Sequence, residues 1–131
     1  MGAGETETIL DPQNHTKAIV FENSENNVIS DLTVRHGQST DESDFDYLRG
    51  GGIYVNSSSV DFENVTIDSS AAFEGAGIYF LTSTSSLRNV KIDENTATQG
   101  GGGIFSHGSV ITISDNSEIT ENEALGALPG D

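Results

Sequence analysis

The chain has 131 residues and carries 21 acidic against 5 basic residues, which gives a formal net charge of −16. This charge excludes the cationic surface of a nucleic-acid-binding protein or of a polybasic membrane-surface protein. The absence of cysteine excludes disulfides and Cys-ligated zinc, and no apolar run approaches the roughly 18 residues of a membrane helix. We therefore expect one small domain that neither binds nucleic acid nor inserts into a membrane.

The first apolar run is TETIL, which contains Ile9 and Leu10. We expect residues 1–17 to supply a strand that begins or caps a stack of repeats. The next segment, AIVFENSENNVISDLTVRHG, is interpreted as a divergent first copy of the repeat. Its alignment with the second copy pairs Val20 with Ile53, Ile29 with Phe62, and Val34 with Ile67.

An acidic insertion separates the first copy from the second. We assign it to residues 38–49, because the aligned positions are further apart here than in the later copies. Asp41, Asp44 and Asp46 lie within six residues of one another, and clustered carboxylates of this kind are suitable ligands for Ca²⁺. The alternative is a solvated acidic loop. These three residues are the candidate metal ligands, and calcium is the one candidate cofactor.

Three similar copies of about 25 residues then begin near residues 50, 75 and 100. The aliphatic residues that recur in them form two columns: Ile53, Ile78 and Ile104, and Ile67, Ile92 and Ile119. Within each copy the apolar residues alternate with polar ones, which predicts short strands. Short strands that recur at this spacing must stack on their neighbours to bury a face. The pattern predicts a parallel β-solenoid of about four to five coils.

A polar column accompanies the aliphatic ones. It consists of Asp31, Asn64, Asn89 and Asn116, each placed at a bend between two strands. Amide side chains stacked at strand spacing can bond to one another along the solenoid, and Asn tolerates the left-handed backbone of a sharp bend. We expect this column to be structural.

The opening motifs GGGIY, GAGIY and GGGIF, each followed by a strand similar to NVTI, resemble right-handed parallel β-helix repeats. They are similar to the repeats of polymorphic outer membrane protein passengers and of pectate-lyase-like surface proteins. The resemblance implies an all-β, right-handed parallel β-helix that belongs to a secreted or cell-surface protein. Because the last copy ends without a recognisable cap, we expect residues 1–131 to be a single segment of a longer solenoid, with neighbouring coils as partners.

Aromatic residues follow the first aliphatic column: Phe21, Tyr54, Tyr79 and Phe105. If Ile53 faces the interior, then Tyr54 faces outwards. Tyr54, Tyr79 and Phe105 are therefore the candidate ligand-binding residues, because evenly spaced rings can stack on sugars. The alternative, which we favour, is that they clad the outer wall and stack on one another.

A second outward column consists of Arg35, Asp68, Asp93 and Thr120. The carboxylates of Asp68 and Asp93 would lie one coil apart, close to the spacing of a retaining glycosidase pair. Any two acids stacked in a solenoid have this spacing, and Arg35 is available to neutralise Asp68. The two residues are candidate catalytic groups, and a structural role is the alternative.

The sequence thus favours a non-catalytic structural or adhesive β-helix segment, whose partner would be a carbohydrate or a host or cell-surface protein. The alternative is a β-helix that binds carbohydrate, or one that cleaves polysaccharides as pectate-lyase-like enzymes or glycosidases do. The five basic residues are too scattered for a site that neutralises an acidic sugar, and fold analogy alone is weak evidence for chemistry.

Overall fold

A computed structural model describes residues 8–14, 16–39 and 49–126 of the chain. These residues form parallel strands stacked as a β-solenoid of about four turns, without a helix. Strand β1 (Thr8–Leu10) precedes a first coil of β2 (Ile19–Glu22), β3 (Asn27–Arg35) and β4 (Gln38–Ser39). The second coil contains β5 (Ile53–Asn56), β6 (Ser59–Asp68) and β7 (Ala71–Glu74), and the third contains β8 (Ile78–Leu81), β9 (Thr84–Asp93) and β10 (Thr96–Gly100). The fourth coil contains β11 (Ile104–His107), β12 (Val110–Ser114), β13 (Glu118–Thr120) and β14 (Glu123–Ala124).

Three parallel sheets form the walls of the solenoid. The first sheet has the order β2-β5-β8-β11, and the third has the order β4-β7-β10-β14. The second sheet has the order β1-β3-β6-β9-β12, and β13 also pairs with β9. Every strand therefore pairs with the equivalent strand of the adjacent coil, which confirms the all-β parallel solenoid predicted from the repeat.

The interior is filled by the predicted aliphatic columns. Val34 pairs with Ile67 and Ile67 pairs with Ile92, and all three side chains are 0% exposed. Ile53 and Ile78 pair in the same way in the first sheet and are also 0% exposed. Burial of each of these side chains contributes about 1.5–3 kcal/mol to folding, so the solenoid is stabilised mainly by its two middle coils.

The prediction for the first coil is wrong by one residue. Ile19, not Val20, pairs with Ile53, while Val20 pairs with Tyr54 and is 49% exposed. Phe21 consequently leaves the aromatic column and pairs with Val55, on the inner face. A slip of one residue exchanges the two faces of a strand, and the uninterrupted apolar run from residue 18 to 21 contains no polar residue that marks the outer face.

The boundary of the acidic insertion also differs from the assignment. Gln38 and Ser39 form β4 and pair with Ala71 and Ala72 of β7. The first coil therefore closes before the insertion begins. Residues 40–48 lie outside the described residues, and Arg49 forms an isolated parallel bridge with Glu74.

Glycines permit the tight passage from one coil to the next. Gly50 and Gly75 have φ angles of 71° and 62°, which side chains with a Cβ adopt only with strain. At Gly52 a Cβ atom would lie 2.7 Å from the carbonyl oxygen of Gly77. The recurring glycine run is therefore required by backbone geometry and by the close contact between coils.

Candidate functional site

The carboxylates of Asp68 and Asp93 lie in one column on the outer wall of the second sheet. The register pairs Arg35 with Asp68, Asp68 with Asp93, and Asp93 with Thr120. This column is the one predicted from the repeat. The side chains of Asp68 and Asp93 are each 15% exposed.

Both carboxylates bind neighbouring groups of the same wall. Arg35 Nε donates to Asp68 Oδ1 at 3.1 Å, and Arg35 Nη2 donates to Asp68 Oδ2 at 3.4 Å. The hydroxyl of Thr120 donates to Asp93 Oδ1 at 3.1 Å, and Lys91 Nζ lies 3.8 Å from Asp93 Oδ2. Asp68 thus joins the first coil to the second, and Asp93 joins the third coil to the fourth. The candidate catalytic role of the two acids stays a prediction.

The three aromatic candidates form one stack. The ring centroids of Tyr54 and Tyr79 are 5.7 Å apart with an interplanar angle of 16°, and those of Tyr79 and Phe105 are 5.2 Å apart at 3°. Tyr54 and Tyr79 are each 3% exposed, whereas Phe105 is partly exposed. Two of the three rings therefore lie against each other and do not offer an open face to a sugar.

Two cations flank this stack near the ends of the acidic insertion. Lys17 Nζ lies 5.4 Å from the ring centroid of Tyr54, and its amine donates to the hydroxyl of Ser39 at 3.2 Å. Arg49 Cζ lies 5.3 Å from the ring centroid of Tyr79, and Arg49 Nε donates to the carboxylate of Glu74 at 3.1 Å. The aromatic stack is thus joined to the third sheet by cation–π contacts and an ion pair.

The calcium candidates Asp41, Asp44 and Asp46 lie outside the described residues. Within the ranges that the structure describes, no group of three or more His, Asp or Glu residues is placed to hold a metal ion. The calcium site in the insertion stays a prediction from the sequence.

The bend of the second sheet carries the predicted amide column. Asn89 Nδ2 donates to Asn64 Oδ1 at 2.6 Å, and Asn64 Nδ2 donates to Asp31 Oδ1 at 3.0 Å. The three residues have φ angles between 55° and 57°. In the fourth coil the positive φ falls instead on Asp115, next to Asn116. The column is therefore a structural ladder at the bend.

Two further polar ladders inside the corners were missed. At the corner between the first and second sheets, the backbone N–H of Ser58 donates to the hydroxyl of Ser83 at 3.1 Å. The backbone N–H of Ser83 donates in turn to the hydroxyl of Ser109 at 2.9 Å. The recurrence of serine at these positions was available in the sequence. Hydrophobic periodicity assigns only apolar residues to the interior, so it does not predict buried serines.

The other ladder is centred on Asn95, which is 0% exposed. Its Oδ1 accepts from the backbone N–H of Ser70 at 2.9 Å, and its Nδ2 donates to the carbonyl of Ile67 at 3.0 Å. Its Nδ2 also donates to Asn122 Oδ1 at 2.9 Å. One amide thus joins three successive coils at the corner between the second and third sheets.

The first described strand is anchored by Asp11. His36 Nδ1 lies 3.2 Å from both carboxylate oxygens of Asp11, and the backbone N–H of Gln13 donates to Asp11 Oδ1 at 2.8 Å. The Gln13 hydrogen bond, followed by the His36 contact, lowers the pKa of the Asp11 carboxyl below its ordinary value. This cluster stabilises the turn that follows β1 against the first coil.

No protein-family model, curated protein or solved structure matches this chain. Among the residues that the structure describes, no helix has the length and apolar character needed to cross a membrane.

Proposed function

We propose that this chain is a non-catalytic structural or adhesive β-helix segment of a larger secreted or cell-surface protein. The observation that carries the proposal is the engagement of Asp68 and Asp93 in contacts between coils. Asp68 is held by a guanidinium, and Asp93 by a hydroxyl and an ammonium group. Groups arranged in this way join the coils of a wall, which favours a rigid scaffold over a reaction centre.

Other contacts of the outer wall support the same proposal. An exposed ion pair between Arg88 Nη2 and Glu63 Oε2, 2.7 Å long, joins the second and third coils. The amide ladder at the bend joins three coils in the same direction. An isolated exposed pair contributes only about 0–1 kcal/mol, but repeated links along one axis stiffen a rod, which is useful in a spacer or an adhesive stalk.

The resemblance to polymorphic outer membrane protein passengers and pectate-lyase-like surface proteins belongs to this proposal. It supplies the extracellular location, with neighbouring solenoid coils of the parent protein and a host or cell-surface protein as partners. The alternative function is carbohydrate binding or polysaccharide cleavage. The burial of Tyr54 and Tyr79 gives the binding alternative less support.

An activity screen tests the non-catalytic assignment. The purified chain is incubated with neutral and acidic polysaccharides, and the release of reducing or unsaturated ends is measured. We expect no turnover. Turnover that is lost in Asp68→Asn or Asp93→Asn and kept in the wall control Glu63→Gln would overturn the proposal.

A binding assay tests the carbohydrate alternative. The wild type is compared with Phe105→Ala on a glycan array, because Phe105 is the only partly exposed ring of the described stack. We expect no retained glycan. Retention by the wild type that Phe105→Ala abolishes would favour a carbohydrate-binding module instead.

The location requires a separate measurement. Intact cells of the source organism are treated with an antibody against this chain, and with protease, and are compared with lysed cells. We expect labelling and cleavage on intact cells. Access only after lysis would overturn the surface assignment.

A further inference from the structure

The basic side chains of this chain already have partners. The sequence contains only five Lys and Arg residues, and all five lie in the described ranges. Arg35, Arg49, Arg88 and Lys91 each have a nitrogen within 4 Å of a carboxylate oxygen. Lys17 is buried and donates to a hydroxyl group. The walls therefore hold no further Lys or Arg that could neutralise additional carboxylates.

Many acidic side chains on these walls form no ion pair with Lys or Arg. Within the described residues, the exposed acids of this kind are Glu22, Glu25, Asp31, Asp61, Glu94, Asp115, Glu118, Glu121 and Glu123. They occur in all four coils, so the excess negative charge is spread over the solenoid and is not confined to one place.

The stacking of coils brings two of these carboxylates into register. Thr120 pairs with Asp93, so the residues that follow them, Glu121 and Glu94, occupy equivalent positions in adjacent coils. Their φ angles are 51° and 56°, and both side chains are exposed. Adjacent coils are about 4.8 Å apart, and like charges placed directly opposite each other destabilise a sheet. Folding therefore creates a repulsion between residues that are distant in the unfolded chain.

We propose that this solenoid is a salt-dependent fold, in which mobile cations screen the repulsion that the chain's own basic residues leave uncompensated. Excess charge of one sign destabilises the compact state more than the expanded one. The Debye length falls from about 30 Å in 0.01 M salt to about 3 Å in 1 M salt, which is shorter than the distance between coils. The cations act by screening and not at a fixed site. The folded chain is thus suited to surroundings of high ionic strength, whether or not it serves as a scaffold.

Urea unfolding of the 131-residue chain, followed by circular dichroism at 20 mM, 200 mM and 1 M salt, measures this dependence. Urea is suitable because it is uncharged and leaves the ionic strength unchanged. We expect the transition midpoint to rise by about 1 M urea between the lowest and the highest salt concentration, equally in NaCl and in KCl. A midpoint independent of salt would overturn the proposal. A rise in only one of the two salts would indicate a site for that cation and would overturn it as well.

Neutral variants identify the carboxylates responsible. Glu94→Gln and Glu121→Gln each remove one charge of the stacked pair without changing the size of the side chain. At 20 mM salt we expect each to raise the folding equilibrium constant about two- to fivefold, and at 1 M salt we expect no gain. Because each variant is compared with the wild type at the same salt concentration, any effect of salt on apolar burial cancels.

The matched control is Glu63→Gln, which removes an exposed carboxylate that does have a partner, Arg88 at 2.7 Å. We expect no gain in stability for this variant at 20 mM salt, because the lost ion pair offsets the relief of repulsion. Equal gains in all three variants, or gains that persist at 1 M salt, would refute the assignment of the repulsion to unpaired carboxylates.

Discussion

Replacement of Asn95 by alanine tests whether a single buried amide joins three coils. The substitution removes the acceptor for the N–H of Ser70 and the donor to the carbonyl of Ile67. Ser70 is 2% exposed and Ile67 0%, so bulk water does not readily reach either group. A buried polar group left without a partner costs about 1–3 kcal/mol. The two groups together predict a loss of about 2–6 kcal/mol in the free energy of unfolding.

Urea unfolding followed by circular dichroism measures this loss as a lower transition midpoint at an unchanged m-value. The control is Ser86→Ala, which removes the surface hydrogen bond of 2.9 Å from the Ser86 hydroxyl to Asp61. We expect the control to change stability by less than about 0.5 kcal/mol. A loss below about 1 kcal/mol for Asn95→Ala, or equal losses in the two variants, would refute the reasoning.

The variant Asn95→Asp separates the two roles of the amide. A carboxylate keeps the acceptor for the N–H of Ser70, but it points an oxygen instead of a donor at the Ile67 carbonyl and at Asn122 Oδ1. We expect destabilisation at neutral pH that becomes smaller in acid, where the protonated carboxyl can donate. A destabilisation independent of pH would indicate that the donor role is unimportant.

Three further predictions concern the core, the first strand and the insertion. Ser85 occupies the interior position equivalent to Val60 of the preceding coil, and its buried hydroxyl has no hydrogen-bond partner within the described structure. Ser85→Val should therefore raise the free energy of unfolding by about 1 kcal/mol. A lower urea midpoint in this variant would contradict the prediction. Because the pKa of Asp11 is lowered in the folded state, its stabilisation of β1 is present above the ordinary carboxyl pKa and is lost as pH falls through the lowered value. Amide exchange in β1, corrected for intrinsic rates, should speed up in acid in the wild type and should already be fast in Asp11→Asn. If the insertion binds calcium, millimolar CaCl₂ should raise the melting temperature more than NaCl of equal ionic strength does. The double variant Asp44→Asn with Asp46→Asn should abolish this difference. Equal shifts of the melting temperature in the two salts would show that the insertion is a solvated loop.

The regular spacing explains why the fold was predictable. Ile67 and Ile92 are 25 positions apart, and a residue that recurs at this step occupies the same place in the next coil. The same reasoning found the contacts of Asp68 with Arg35 and of Asn64 with Asn89. These predictions required only that equivalent residues stack, which is a property of every parallel solenoid.

The sequence-based predictions fail where the alternation of apolar and polar residues is absent. The run around Val20 is apolar on both sides, so alternation could not decide which residue faces inwards, and the contact with Gly52 sets the register instead. Gln38 and Ser39 form a strand of only two polar residues, which periodicity does not detect. Asn95 is polar yet fully buried because the corner leaves backbone groups of the adjacent coils to be bonded.

The stacked tyrosines provide an intrinsic spectroscopic signal for the contact between the second and third coils. The chain has three tyrosines and no tryptophan, so tyrosine emission is not lost by energy transfer to an indole. Tyr54 and Tyr79 belong to different coils but lie nearly parallel, with an interplanar angle of 16°. Their near-ultraviolet dichroism should therefore arise from coupling between the second and third coils, and its loss during unfolding reports the moment at which those two coils separate.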